Sequence, residues 1–70
     1  MRLSTRNQLT GTIVRISKGE AMATLKVQLD GTEQVLTSAI TLDAANDLGL
    51  AEGQSVTLLI KATDVAIAID

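Results

Sequence analysis

A 70-residue chain with no Cys, no His, no Pro and no Phe, Trp or Tyr excludes several classes of chemistry before any motif is read: disulfides, thiolate metal sites, imidazole ligands and the usual general base. Six basic against eight acidic residues leave a net charge of −2, which offers no long-range attraction to nucleic acid or to an anionic membrane. The length fits one domain, residues 1–70, that buries only about 60% of its unfolded surface, so a core of Val, Ile, Leu, Ala and Met needs oligomerisation to become secure.

Met1-Arg2-Leu3 passes directly into polar residues, and no apolar run approaches the roughly 18 residues of a spanning helix. The expected location is the cytoplasm, and the starting methionine points to a free-standing protein.

In chain order, Leu9 to Ile16 is mostly β-branched and reads as a first strand, with Gly11 as a bulge or bend. Ser17-Lys18-Gly19-Glu20 carries turn chemistry. Ala21 to Leu29 alternates, with Ala23, Leu25, Val27 and Leu29 on the core face. Asp30-Gly31 predicts a type I′ hairpin turn, and Thr32 to Ile40 a third strand. Thr41 is placed to cap a short helix whose apolar side is Leu42, Ala45 and Leu48; Gly49 ends it, and Leu50 supplies the apolar contact of a left-handed cap.

After the loop Ala51-Glu52-Gly53-Gln54, Ser55 to Lys61 reads as strand four, facing Val56, Leu58 and Ile60 inward. Ala62-Thr63 is a corner. Asp64 to Ile69 reads as strand five, facing Val65, Ile67 and Ile69 inward. Three strands, a helix and two strands match an all-β, OB-like five-stranded Greek-key barrel with one short helix between strands 3 and 4. Ile13 and Leu59, with Ala66 and Ala68, fall opposite these core positions and mark a subunit interface.

Two segments concentrate donors. Ser4-Thr5-Arg6-Asn7 holds two hydroxyls, a guanidinium and an amide with no carboxylate; Lys61-Ala62-Thr63 adds an ammonium, a hydroxyl and the amides of a small-residue corner. Donors without acceptors suit a fully ionised tetrahedral anion and discriminate against hydrogen phosphate, whose proton wants an acceptor.

Ser4-Thr5-Arg6-Asn7-Gln8-Leu9, Thr37-Ser38-Ala39-Ile40-Thr41-Leu42-Asp43 and Ile60-Lys61-Ala62-Thr63-Asp64-Val65 resemble, in order and spacing, the three signature stretches of the molbindin (Mop) domain. The resemblance covers nearly the whole chain. It implies an OB-like barrel, assembly into hexamers (trimers of dimers), and molybdate or tungstate bound between subunits with no other cofactor and no direct metal ligand from the protein. It carries an oxyanion site onto Ser4, Thr5, Arg6, Asn7, Thr37, Ser38, Lys61, Ala62 and Thr63, and a second site near symmetry axes onto Lys18 and Gly19. Thr5 departs from the family pattern, in which alanine follows the serine; its amide survives but its branched side chain alters the site.

Each residue also has a plainer role. Arg6 can be solvated, Lys61 can pair with Asp64, Ser4 and Asn7 can turn the chain, and Ser38 can cap the helix. A Ser38–Lys61 dyad lacks an orienting partner, so no enzyme is expected. An OB-type nucleic-acid module would need aromatic platforms and a basic groove, which are missing; a purely structural assembly module is the third reading. Intracellular molybdate storage or homeostasis is the role that the resemblance implies.

Overall fold

The computed structural model describes residues 2–70. Its alternating and β-branched stretches form four antiparallel strands: β1 (Asn7–Lys18), β2 (Met22–Leu29), β3 (Val35–Thr41) and β4 (Ser55–Ile60). Helix α1 (Leu42–Asp47) separates β3 from β4, and a 3-10 turn at Ala62–Asp64 follows β4. The curled sheet has the order β3-β2-β1-β4, which leaves β3 and β4 as its edges. Among the described residues no helix is long and apolar enough to cross a membrane.

β2 behaves as its alternation dictates: Ala23, Leu25 and Val27 are buried. The β1 reading needs two corrections. The pairing slips between Ile13 and Arg15, so the bulge lies at Val14 and not at Gly11. One extra residue flips every side chain beyond it. Ile13 therefore points inward and is 1% exposed rather than facing a partner, Val14 turns outward, and Ile16 packs back against the core. Gly11 has a different duty: a Cβ there would stand 2.6 Å from the Gln28 carbonyl oxygen and 2.7 Å from Val27 Cγ1.

The β2–β3 connection is also not a type I′ turn, which needs positive φ at both central residues. Only Gly31 has it, at 72°, and the Thr32 amide donates to the Leu29 carbonyl at 3.2 Å, a pattern that fits a type II turn. The loop is longer as a result, and β3 starts at Val35 rather than Thr32.

Helix α1 follows its local signals. The Thr41 hydroxyl accepts from the Ala44 amide at 3.1 Å, and Ala45 is buried. At the other end Gly49 takes φ 63°; its amide donates to the Asn46 carbonyl at 3.0 Å and the Leu50 amide to the Ala45 carbonyl at 3.2 Å. This is a Schellman cap, with Leu50 packed against the core. Leu48 departs from expectation. As the C-cap residue it leaves the helical face and stands 67% exposed.

The fifth strand is missing among the described residues. Beyond Asp64 the chain joins no ladder: Val65, Ile67 and Ile69, expected in the core, are 49%, 85% and 93% exposed, and Ala66 and Ala68 are exposed with them. A strand exists only against a partner edge, and residues 65–70 lie along neither edge of this sheet.

Because the obstacle at Gly11 is mostly backbone, it cannot swing aside. Gly11→Ala should cost about 1–3 kcal/mol of unfolding free energy, measured as a fall in the urea midpoint, while Gly19→Ala, whose Cβ would meet nothing closer than 3.4 Å, should cost clearly less.

Candidate functional site

The two donor-rich segments meet because β1 and β4 run antiparallel with Asn7 opposite Ile60. That register puts Arg6 beside Lys61 at one end of the sheet. Asn7 fixes the junction: its Nδ2 donates to the Ile60 carbonyl at 3.1 Å, so one of its amide hydrogens holds β4 to β1. Ser4, Arg6, Lys61, Ala62 and Thr63 are exposed, and Thr5 and Asn7 half-buried. The corner is a real turn: the Asp64 amide donates to the Lys61 carbonyl at 2.9 Å and the Val65 amide to the Ala62 carbonyl at 3.3 Å. Those bonds leave the amides of Ala62 and Thr63, at the start of the turn, unused by it.

Thr37 and Ser38 approach from the other edge. They line a cleft of about 450 Å³ between β3 and β4, walled by Thr57 to Ile60 and by Asp64. Ser38 points partly inward, toward an apolar cavity of about 170 Å³ that Leu48 also borders, and leaves the capping of α1 to Thr41.

One side chain escaped the sequence reading. Lys26, opposite Thr37 in the β2–β3 register, donates through Nζ to Thr37 Oγ1 at 2.6 Å. With its lone pair so engaged, the Thr37 hydroxyl is free to donate outward. The alternation of β2 placed Lys26 on the outer face, but its partner depended on the hairpin register. Asp64 is the second omission, a carboxylate on the cleft wall that no reading of donors alone would include.

Lys18 and Gly19 lie elsewhere. They sit at the far end of β1, a strand whose residues 7–18 would span about 36 Å if straight. The Gly19 amide is taken by the Met22 carbonyl at 2.8 Å, and Lys18 Nζ donates to Asn46 Oδ1 at 3.1 Å. Neither group joins the first set.

Comparison with known proteins follows this geometry closely. The TOBE domain model matches residues 3–67. Molybdenum-pterin-binding protein 3 of Clostridium pasteurianum is 45% identical over 67 residues, spanning 96% of this chain and 97% of that protein. A molybdate-binding protein from Sporomusa ovata has the same fold, with a TM-score of 0.90 and 40% identity across 99% of this chain and 100% of that one. The cytoplasmic molybdate-binding protein ModG, crystallised with molybdate bound, is similar at a TM-score of 0.87 and 41% identity, over 94% of this chain and 46% of its own.

If Asn7 is the clamp that sets the Arg6–Lys61 juxtaposition, Asn7→Ala should lower stability by about 0.5–1.5 kcal/mol. Amide hydrogen exchange should speed up at the Ile60 end of β4 and not along β2.

Proposed function

We propose that this chain, which belongs to the TOBE domain family, binds molybdate as the intact oxyanion, at sites shared between copies of itself. The observation that supports the reading is the β1–β4 register, Asn7 opposite Ile60, with Arg6 and Lys61 the next residues in the chain beyond that pair. Arg6 and Lys61 supply charge. Ser4 and Thr63 supply hydroxyls, Thr5, Ala62 and Thr63 supply backbone amides, and Asn7 adds its remaining amide hydrogen. Thr37 and Ser38 of a neighbouring copy complete the ring. Asp64 repels a dianion from the depth of the cleft, so the anion sits on the Arg6–Lys61 side.

Molybdate carries no proton near neutral pH, and a donor-only lining accepts it or tungstate while disfavouring hydrogen phosphate. Size then separates both from sulfate. The relatives' name couples molybdenum with pterin, but a flat heteroaromatic is gripped by stacking, and this chain has no Phe, Trp, Tyr or His to stack on it. The inorganic ion matches the donor set better. The role that follows is intracellular molybdate storage or homeostasis by a cytoplasmic, single-domain binding protein assembled as a hexamer, a trimer of dimers, without catalysis, nucleic acid or membrane. Lys18 and Gly19 are proposed as the second site through the ammonium hydrogens that Lys18 keeps beyond its bond to Asn46, since the Gly19 amide is taken by the Met22 carbonyl.

Calorimetric titration of the assembled protein tests this. Heat is expected with molybdate and tungstate and none with phosphate. Arg6→Ala and Lys61→Ala should each weaken binding by about 10- to 100-fold, the worth of one charge-assisted hydrogen bond. Silence toward every oxyanion would return the chain to a structural assembly module.

A further inference from the structure

We infer that Lys26 is a specificity-determining residue of the oxyanion site: its ammonium holds the Thr37 hydroxyl as a donor and so selects against anions that carry a proton. The inference rests on the proposed function and adds to it a residue outside the donor-rich segments, on the inner strand β2.

The bulge in β1 prepares the arrangement. Pairing passes from Ile13 opposite Val27 to Arg15 opposite Lys26, so the extra residue, Val14, brings a second cation across from Lys26 on the outer face of the sheet. Thr37 stands on the other side of Lys26 in the β2–β3 ladder. Arg15, Lys26 and Thr37 thus form one transverse row, all three exposed. Like charges directly opposite one another repel, and the adjoining outer-face positions hold no carboxylate: Ser17 faces Thr24 on one side, and Gln28 faces Val35 on the other. Lys26 accordingly leans toward β3, where its Nζ donates to Thr37 Oγ1 at 2.6 Å.

A threonine hydroxyl has one hydrogen and two lone pairs, so a free one turns to suit either a donor or an acceptor. The ammonium removes that choice in two ways. It fills one lone pair and drives the hydroxyl hydrogen away from itself, toward the open side of the edge strand, where Thr37 lines the cleft. Its charge also draws density from the oxygen, which strengthens the outgoing bond and weakens the remaining lone pair as an acceptor. A proton-free oxyanion therefore meets a fixed donor, whereas the proton of hydrogen phosphate meets an oxygen that accepts poorly. Ser38, the other hydroxyl of this stretch, lies opposite Leu25 and has no cation across from it, so the selection falls on Thr37.

Calorimetric titration of the assembled protein with molybdate, for the parent, Lys26→Met, Thr37→Val and the double variant, tests this. Lys26 is exposed, so its replacement spares the core, which an unchanged Tm checks. Lys26→Met should weaken molybdate binding by roughly 3- to 10-fold, and the same change made on Thr37→Val should have no further effect. In competition, phosphate should displace molybdate more readily from Lys26→Met than from the parent, relative to the molybdate affinity of each. A loss that persists in full on Thr37→Val marks a bare charge effect and overturns the inference, as does an unchanged affinity or an unchanged phosphate-to-molybdate ratio. A parent silent toward molybdate ends this reading together with the proposed function; a parent that binds while the two substitutions act additively ends this one alone.

Discussion

The structure depends on how β1 divides itself between two neighbours. Its first half, Asn7 to Thr12, pairs with β4, and its second, Gly11 to Lys18, with β2; both ladders overlap only at Gly11 and Thr12. A strand that changes partners must bend, and the two devices that permit bending lie at the crossover. Gly11 lets the backbones approach at a distance no side chain would tolerate, and the Val14 bulge adds the residue that turns the strand. Beyond β4's reach the loop takes over, with the Gly53 amide donating to the Ile13 carbonyl at 2.7 Å. The curl that results creates an inside, and Ile13, Ala23, Leu25, Val27 and Ala45 fill it.

What the sequence disclosed follows from the range of the forces involved. The cap at Thr41, the left-handed glycine at position 49 and the alternation of β2 are governed by neighbours within four residues, and each was legible. The faces of β1 were not, because an OB-like strand that bulges at Val14 has the same composition as one that does not, yet its parity reverses. Likewise Asp30-Gly31 announced a turn correctly, while its type depended on Asp30 keeping a negative φ. The family and its mostly-β architecture could be read from three short stretches because their spacing encodes the register that unites them.

The C-terminal stretch shows a different limit. Alternation at Val65, Ile67 and Ile69 reports that one face seeks apolar cover, yet among the described residues the stretch joins no ladder. A periodic pattern carries no label for the chain that supplies the cover, so assigning it to the same subunit's barrel was the step that the structure did not bear out. The candidate site was legible in the same partial way. Residues 4–7 and 61–63 announced themselves as donors, and the register that sets Asn7 opposite Ile60 is what supports taking them as one proposed site. Lys26 and Asp64 stayed hidden, since their relation to Thr37 and the cleft exists only once strands are in register.

Exposure is the feature that ties these parts together. Arg6 and Lys61 face solvent in the single subunit, where water competes for every donor and the attraction between unit charges about 4 Å apart is near 1 kcal/mol; at the margin of a protein interior it is about four times larger. A dianion can be held firmly at such a place only if another surface excludes water from it. The open β3 and β4 edges border the cleft that Thr37, Ser38 and Asp64 line, so an association that covered this cleft would shield the groups on its walls. Ligand and assembly are then linked: an anion that prefers the assembled form stabilises it by RT ln(1 + [L]/Kd). On the proposed reading, contacts between copies that compensate for a core without aromatics would also create the dry, donor-lined space that a molybdate ion requires.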